Sequence, residues 1–178
     1  MTAPTLAIRA ARVDDHAMLA SVLVEAFQTD PLAMWLYPDP VERQRNHRDL
    51  FARALAEPGN GSHIDMSPAC DAVAIWRPAD GRPDSRPPAG ARREAGDFFA
   101  RIADSAPASP YWNLMCLGAT VRGAGLGRAL VRHRLARFSG SVALWTANES
   151  NLKFYQRFGF KVATKVDGPG ITAWWLTL

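Results

Sequence analysis

The sequence has few cysteines and no long apolar run. Its 178 residues include two cysteines, Cys70 and Cys116, and their spacing fits neither a disulfide framework nor a metal site. No apolar stretch approaches the roughly 20 residues that a membrane helix needs. The first residues, MTAPTLAIRAARVDD, have no apolar core of the kind found in secretory signals. We therefore expect a cytoplasmic protein with one domain over residues 1–178.

Acidic residues are missing from one long stretch of the chain. None occurs between Asp104 and Glu149, although five arginines do. The net charge of the whole chain is +4, which suits an anionic ligand or nucleic acid without deciding between them. The local field in this stretch is more positive than that figure suggests. The five residues are Arg122, Arg128, Arg132, Arg134 and Arg137.

Two familiar phosphate-binding motifs are also absent. The turn VRGAGLGRALVRH places Gly123, Gly125 and Gly127 directly before a helical pattern. A dinucleotide fingerprint would require glycine at Arg128, and a P-loop would require G-K-[ST] after four spacers. Alternating glycines and the first amides of a helix still form a site for phosphate or pyrophosphate. A tight turn that binds nothing is the alternative.

The pattern along the chain predicts a mixed α/β fold. The strand YWNLMCLGA, the glycine turn, a helix and VALWT form a βαβ unit with parallel strands. The last two strands, KVATKV and ITAWWLTL, form a hairpin. We expect a mixed sheet of about seven strands flanked by helices, with YWNLMCLGA buried on both faces. Pro, Gly, Asp and Arg are concentrated at about residues 78–93, which predicts a mobile loop.

The segment NESNLKFYQRFGF predicts a short helix near the glycine turn. Spacings of three and four place Asn148, Asn151 and Tyr155 on one face. The strand before this helix lies beside the one that ends at Ala119, so the two motifs share one end of the sheet. A tyrosine there can donate a proton to a leaving thiolate. The alternative is that Tyr155 is an ordinary core aromatic.

Together, the glycine turn and this helix resemble the GNAT superfamily of acyl-CoA-dependent N-acetyltransferases. The family motif [QR]-x-x-G-x-[GA] is matched by Arg122, Gly125 and Gly127. The resemblance implies a GNAT-like fold in which the turn binds the pyrophosphate of coenzyme A and the preceding strand splays to bind its pantetheine arm. The later helix supplies asparagine to that arm and a tyrosine near the thioester sulfur. The implied cofactor-binding residues are Leu117, Gly118, Ala119, Arg122, Gly123, Ala124, Gly125, Leu126, Gly127, Arg128, Asn148, Asn151 and Tyr155.

The implied activity is direct transfer of an acetyl group from acetyl-CoA to a primary amine of a small molecule. Tyr155 is then the catalytic general acid, and a strand amide near Ala119 polarises the thioester carbonyl. The pattern A-F-x-x-D-P over 26–31, with AVAIW and the closing Thr- and Trp-rich strand, is similar to puromycin N-acetyltransferase-type members. An apolar or aromatic acceptor is expected. Aromatic walls could come from Met34–Tyr37, Trp76, Trp112 and Trp145, although ordinary core packing is favoured for most of them.

Two features depart from the family pattern or stay open. The connection Leu117–Gly123 is about two residues shorter than usual in the family and lacks its proline. The strand carries no carboxylate, so no general base is assigned. The candidates by chemistry are Asp30, which is expected to cap a turn, His63 and Asp65, which are expected to face solvent, and Glu25.

Other functions stay open at this stage. The acceptor could be a protein or an aminoacyl-tRNA, with arginines of the helix after the glycine turn and of Arg43–Arg48 on RNA phosphates. A non-catalytic acyl-CoA-binding module is a further alternative. We expect no membrane partner and do not expect nucleic acid as the main ligand. ITAWWLTL, taken as an edge strand, suggests a homodimer.

Overall fold

The computed structural model describes residues 7–121 and 123–178, in which seven strands form one mixed sheet of order β1-β2-β3-β4-β5-β7-β6. The predicted α/β fold is confirmed; Leu6 and Arg122 lie outside the described residues. The strands are β1 Arg9–Ala10, β2 His63–Met66, β3 Ala72–Ala79, β4 Tyr111–Ala119, β5 Val142–Thr146, β6 Lys161–Gly168 and β7 Ile171–Thr177. The helices are α1 His16–Phe27, α2 Pro31–Leu36, α3 Pro40–Ala56, α4 Ala95–Asp104, α5 Leu126–Leu135 and α6 Ser150–Gln156.

Proline and an aspartate cap fix the starts of α2 and α3. The carboxylate of Asp39 accepts hydrogen bonds from the amides of Val41 and Glu42 at 2.9 and 2.8 Å, as the Asp39-Pro40 pair predicts. Asp30 caps α2 in the same way, with the Leu32 amide at 3.0 Å.

The helices cover the two faces of the sheet separately. On one face, α1 and α3 pack against Val73 and Ile75 of β3. On the other face, α5 packs against Trp76. Among the described residues, no helix is both long and apolar enough to cross a membrane.

Helix α1 lies unusually close to β4 at Gly118. A Cβ atom there would be 2.9 Å from Cδ2 of Leu23 and 3.1 Å from Cβ of Ala26. Any larger residue would push α1 away from the strand. Glycine at this position therefore brings the C-terminal end of α1 onto the end of β4.

Strand β4 is not buried on both faces along its length. Tyr111, Leu114 and Gly118 are buried, whereas the residues between Leu114 and Gly118 are partly accessible. The prediction was wrong because an apolar sequence does not distinguish a packed strand from one that lines a cavity. The middle of β4 forms the floor of the cavity described below.

A buried ion pair joins β2 to the last turn of α5. Asp65 has no exposed surface, and its carboxylate binds both Nε and an Nη group of Arg134, with the Nε contact at 2.7 Å. The sequence predicted that Asp65 faces solvent. That prediction was wrong because alternation in a four-residue strand does not show which face a helix covers. His63 is half-buried and packs on Trp112, with ring centroids 5.3 Å apart.

Strand β7 is not at an edge of the sheet. It pairs with β5 on one side and with β6 on the other, and the outer strands are β1 and β6. The edge-strand argument for a homodimer through ITAWWLTL was therefore wrong. The two apolar residues Trp175 and Leu176 are buried within the chain instead.

We predict that Asp65→Asn lowers the free energy of unfolding by about 3–5 kcal/mol, because it leaves the Arg134 guanidinium buried without a counter-charge. Urea unfolding measures this change. Asp104→Asn removes a carboxylate from the exposed ion pair with Arg82 and is the matched control, for which we expect no measurable change. Equal effects of the two substitutions would contradict the assignment of the buried pair as a fixed link between α5 and the sheet.

Candidate active site

The parallel strands β4 and β5 separate soon after they start. Trp112 pairs with Val142 and Asn113 with Ala143, and these are the register pairs that join the two strands in the described chain. Beyond Ala143, β5 continues by pairing with β7. A wedge-shaped gap therefore opens between the C-terminal halves of β4 and β5, at the end of the sheet where the glycine turn begins.

A bulge in β4 lies at the point of separation. Trp76 pairs with Leu114 and its neighbour Ile75 pairs with Cys116, so Met115 is an extra residue in β4. A bulge bends the strand and shifts the alternation of its backbone groups by one residue. The strand thus turns away from β5 while it keeps its pairing with β3.

The bulge directs a new set of amides into the gap. Before the bulge, the Trp112 amide donates to the backbone carbonyl of Ser141, next to β5, at 2.9 Å. After the bulge, the Thr120 amide donates to the backbone carbonyl of Asp71, next to β3, at 3.0 Å. Because N–H groups alternate in direction along a strand, the amides of Leu117 and Ala119 face the gap. These are the strand amides for which the resemblance predicts binding of a pantetheine arm and a carbonyl oxygen.

The glycine turn presents a second set of amides. Gly123 and Gly125 have φ of +80° and +78°, which favours glycine strongly. Gly125 caps α5, and the first intrahelical bond runs from the Ala129 amide to the Gly125 carbonyl at 3.0 Å. The amides of Leu126 to Arg128 precede that bond and have no partner within the helix. The turn therefore offers consecutive N–H groups and the positive end of a helix to an anion.

A groove of about 280 Å³ runs along these elements; we call it the amide groove. It brings the end of β4 together with Gly127 at the start of α5 and with α6, as the two motifs predict. The other turn residues lie outside its wall: Gly123, Ala124 and Arg128 are exposed, and the Leu126 side chain is in the core. The lining residues are Ala26, Phe27, Asp30, Leu117, Gly118, Ala119, Gly127, Asn148, Ser150, Asn151, Phe154 and Tyr155.

The two asparagines of the predicted helix have different local partners. The carboxamide oxygen of Asn148 caps α6 by accepting from the amide and hydroxyl of Ser150, at 3.1 and 2.7 Å. Asn151 donates through Nδ2 to the Thr146 hydroxyl at 3.3 Å. Both side chains line the amide groove, so Asn148 combines a capping role with a place at the wall of the site.

Tyr155 lies where the amide groove meets a second cavity. It is 6% exposed and lines both spaces. Burial raises its pKa, and the neighbouring Cys116 and Asp30 act in the same direction. The phenol is therefore protonated at neutral pH. Full proton transfer to a thiolate, whose conjugate acid has a pKa of about 8.5, would be uphill, so the phenol acts as a hydrogen-bond donor.

The second space, the apolar cavity, has a volume of about 270 Å³. It lies between β4, β5 and the helices of the α1 side, and Pro88 of the segment between β3 and α4 closes part of it. That segment is irregular, as its composition predicts, and Tyr37 bonds to its Ala89 carbonyl at 2.8 Å. Its apolar and aromatic lining is Phe27, Leu32, Ala33, Leu36, Leu50, Phe51, Pro88, Phe99, Leu114, Met115, Leu117, Trp145 and Ala147.

Most of the candidate aromatic walls are packed in the core, as favoured from the sequence. Trp145 lines the apolar cavity, but Trp76 is fully buried in the core and Trp112 stacks on Phe138 with centroids 4.1 Å apart. Of Met34–Tyr37, Leu36 contributes to the lining. The phenylalanines of α1, α3 and α4 take the remaining places because the register of each helix turns them toward the gap.

Among the four candidates for a base, Asp30 lines the apolar cavity. Its carboxylate also caps α2, as predicted for a turn. Asp65 on β2 is buried in its ion pair with Arg134. Glu25 is exposed on α1. His63 belongs to the aromatic cluster with Trp112.

His47 is a polar cavity residue that sequence reasoning missed. It lies on α3 and is 3% exposed. Its ring lines the apolar cavity, and its Nδ1 has no hydrogen-bond partner. Burial, with the nearby Arg43 charge, lowers its pKa to about 4. The ring is therefore neutral at physiological pH and a weak base.

The arginine patches that favoured RNA binding are partly buried. Arg43 donates to the Tyr37 carbonyl at 2.6 Å and is 8% exposed. Arg134 is held by Asp65. These two side chains are used inside the protein, which weakens the case for a nucleic-acid surface.

Comparisons with known proteins agree with this geometry. Residues 93–162 match the family model described as acetyltransferase (GNAT) domain, a range that includes β4, the glycine turn and α6. No curated protein matches the chain significantly in sequence.

Several solved structures share the fold over nearly the whole chain. A structure described as histone acetyltransferase HPA2 and related acetyltransferase from Corynebacterium glutamicum is 23% identical, with a TM-score of 0.69 over 96% of this chain and 95% of that one. Arylalkylamine N-acetyltransferase 2 from Aedes aegypti is 13% identical, with a TM-score of 0.66 over 97% and 98%. An agmatine N-acetyltransferase in its apo form is 14% identical, with a TM-score of 0.65 over 98% and 99%.

At sequence identities of 13% to 23%, similarity to these structures shows the fold alone. The likeness to puromycin N-acetyltransferase-type members stays a prediction. Residues 93–162 match an acetyltransferase (GNAT) domain model, and the chain has a GNAT-like fold.

Proposed function

We propose that this protein transfers an acetyl group from acetyl-CoA directly to the primary amine of an apolar or aromatic small molecule. The observation that carries the proposal is the junction of the amide groove with the apolar cavity. Leu117, Asn151 and Tyr155 line both spaces. A donor in the groove and an acceptor in the cavity would meet beside Tyr155.

The residues of the amide groove fit coenzyme A. A pyrophosphate suits the unpaired amides at the start of α5, where no acidic side chain occurs in the first turn and the helix dipole is favourable. A pantetheine arm carries amide groups, which suit the strand amides of Leu117 and Ala119. Arg128 is exposed beside the turn and adds positive charge.

The chain contributes positioning and hydrogen bonds to the reaction. When bound, acetyl-CoA supplies an activated thioester. The Leu117 and Ala119 amides would stabilise negative charge on the thioester carbonyl oxygen. The apolar cavity would hold the neutral amine against the carbonyl carbon, which is largely an entropic gain. The C–N bond would form as the C–S bond breaks, with the proton lost by the amine taken up by the released thiolate, and Tyr155 would donate a hydrogen bond to the departing sulfur.

Direct transfer is favoured over an acetylated enzyme by the state of Cys116. This thiol lines the apolar cavity and is the obvious nucleophile there. Burial raises its pKa to about 12, so it is a thiol and not a thiolate at neutral pH. A thiol is a poor nucleophile. The neighbouring Asp30 raises the pKa of Cys116 further, and Arg77 lowers it only in part.

The amine substrates named for two structural neighbours support a small acceptor. One neighbour is an agmatine N-acetyltransferase and another an arylalkylamine N-acetyltransferase. The cavity is far more apolar than a binding site for a polycation would be, which favours the arylalkylamine type. A protein or aminoacyl-tRNA acceptor is less well supported because the cavity is small and two of the arginines invoked for RNA are buried.

The proposed function is tested by incubating the protein with acetyl-CoA and a panel of amines, with products identified by mass spectrometry. We expect acetylation of phenylethylamine or octylamine in preference to spermidine and aminoglycosides. A preference for polyamines would contradict the apolar acceptor. Tight acetyl-CoA binding without transfer to any amine would support the non-catalytic alternative instead.

We predict that Gly125→Ala weakens acetyl-CoA binding by about 10-fold or more, because a φ of +78° costs about 1–2 kcal/mol for alanine and relief of that strain moves the α5 amides. Calorimetric titration measures the affinity. Gly170→Ala is the matched control, since Gly170 has φ +74° with open space around it in the β6–β7 hairpin. Weaker binding in both variants would show that the loss reflects general destabilisation.

We predict that Tyr155→Phe lowers kcat by about 10- to 100-fold with little change in the KM for acetyl-CoA, because the phenol stabilises charge that develops on the sulfur. Steady-state kinetics measure both values. Tyr111→Phe is the matched control: that hydroxyl is also buried and has no partner, and it lies outside both cavities. Wild-type turnover in Tyr155→Phe would remove the phenol from the mechanism.

We predict that Cys116→Ala keeps kcat close to the wild-type value, because a protonated thiol takes no covalent part in direct transfer. An acetylated-cysteine mechanism would instead lose about a thousand-fold or more with its nucleophile. Intact-protein mass spectrometry after mixing with acetyl-CoA provides the second readout. A stable mass increase that the substitution abolishes would contradict direct transfer.

A further inference from the structure

A third space, the polar groove, joins the apolar cavity on the side away from the glycine turn. It has a volume of about 580 Å³, and Leu50, Pro88 and Met115 line both it and the apolar cavity. A ligand in the apolar cavity can therefore extend into it. Its lining is Tyr37, Asn46, Asp49, Leu50, Arg53, Ala54, Glu57, Arg77, Asp84, Arg86, Pro87, Pro88, Ala89 and Met115.

Arg77 stands out among these residues because no partner neutralises it. It is half-buried on β3, and its Nε is buried without a hydrogen-bond partner. No ion pair within the described ranges includes it, whereas Arg86 in the same groove pairs with Asp84 at 2.7 Å. Asn113, directly opposite Arg77 on β4, also has a buried side-chain oxygen without a partner.

An unpaired cation in this position is costly to the folded protein. Burial lowers the pKa of Arg77, which reflects the loss of hydration of its charged form. Buried charges are normally compensated by a counter-ion or by several hydrogen bonds. A guanidinium is also the side chain best suited to bind a carboxylate with two parallel hydrogen bonds. The missing partner is therefore expected to be an anionic group of a ligand.

The acidic residues of the groove do not take this role. Asp84 is engaged with Arg86. Asp49 on α3 and Glu57, which directly follows that helix, are exposed. They stand four residues on either side of Arg53, at the helical spacing for charge pairs. They form the outer rim, while Arg77 lies deeper, next to Cys116 and hence to the floor of the apolar cavity.

We propose that the acceptor amine carries a carboxylate, which binds Arg77 in the polar groove while the amine lies beside Tyr155. This inference rests on the proposed function and specifies its substrate class: an amino acid whose amine and carboxylate are separated by an apolar body. Asn113 pairs with Arg77 and Leu117 pairs with Ala74, so the two β4 residues are separated by three residues of β3, or about 10 Å at 3.3 Å per residue. The reach of the arginine side chain shortens the distance that the ligand must span.

The test measures binding, so that it does not depend on turnover. Protein saturated with coenzyme A is titrated calorimetrically with ω-aminooctanoate and with octylamine, which differ in the carboxylate, and then with shorter and longer homologues of each. The same titrations are made on Arg77→Met and Arg77→Lys. Arg53→Met is the matched control, because it removes an exposed arginine from the rim of the same groove.

We expect Arg77→Met to raise the ratio of the Kd for ω-aminooctanoate to that for octylamine by about 10- to 100-fold, the range for a hydrogen bond to a charged group. Arg77→Lys should restore part of the preference, since it keeps the charge without the planar fork. Arg53→Met should leave the ratio unchanged. The thermal midpoint of Arg77→Met should not fall, because an uncompensated charge is removed.

The proposal is overturned if the ratio is the same in wild type and Arg77→Met, if Arg53→Met changes it equally, or if wild-type protein binds octylamine but not the amino acids. A marked fall in the thermal midpoint of both Arg77 variants would assign the arginine a structural role and overturn it as well. If the protein acetylates octylamine and shows no preference for acceptors with a carboxylate, the proposed function stays in place. Selective binding of the amino acids without an acetylated product would refute the proposed function and keep the Arg77 site.

Discussion

The separation of β4 from β5 is the constraint on which the rest of the site depends. Two parallel strands that pair at Trp112 and Asn113 and then diverge leave backbone N–H groups without a sheet partner. Unpaired amides in a protein interior are costly. This cost is offset when a ligand with carbonyl groups lies between the strands, so the gap is both a defect in the sheet and a preformed binding surface.

Three local features maintain that gap. The bulge at Met115 bends β4 and turns the Leu117 and Ala119 amides inward. Gly118 lets α1 lie against the strand within van der Waals distance, which fixes the end of α1 beside the site. The Asp65–Arg134 ion pair holds the far end of α5 to β2, so that the first turn of α5 keeps its orientation toward the groove.

The sequence predicted most of the elements and the local geometry of the glycine turn and α6, because glycine turns, caps and helical spacings are local signals. The φ values of Gly123 and Gly125, the start of α3 at Pro40, and the shared face of Asn148, Asn151 and Tyr155 all follow from neighbours in the chain. The acceptor side could not be predicted in the same way. His47, Arg77 and Cys116 are brought together by tertiary packing. The local sequence around each of them is typical of an ordinary helix or strand.

The errors have a common physical origin. A hydrophobic period of two residues in a strand, or of 3.6 in a helix, shows which residues share a face. It does not show which other element covers that face. Asp65 was therefore placed in solvent although α5 covers it, and β7 was placed at an edge although β6 pairs with its outer side. Helical patterns likewise did not show that the aromatic residues of α1 and α3 meet across a cavity.

The measurement that tests the central claim most directly is hydrogen exchange of the backbone amides with and without acetyl-CoA. The account predicts slower exchange at Leu117 and Ala119 and at residues 126–128, where amides face the gap or start α5. It predicts no change in β6, an outer strand that is separated from β5 by β7. Protection confined to other segments, or no protection at saturating acetyl-CoA, would contradict the claim that the diverging strands and the glycine turn form the cofactor site.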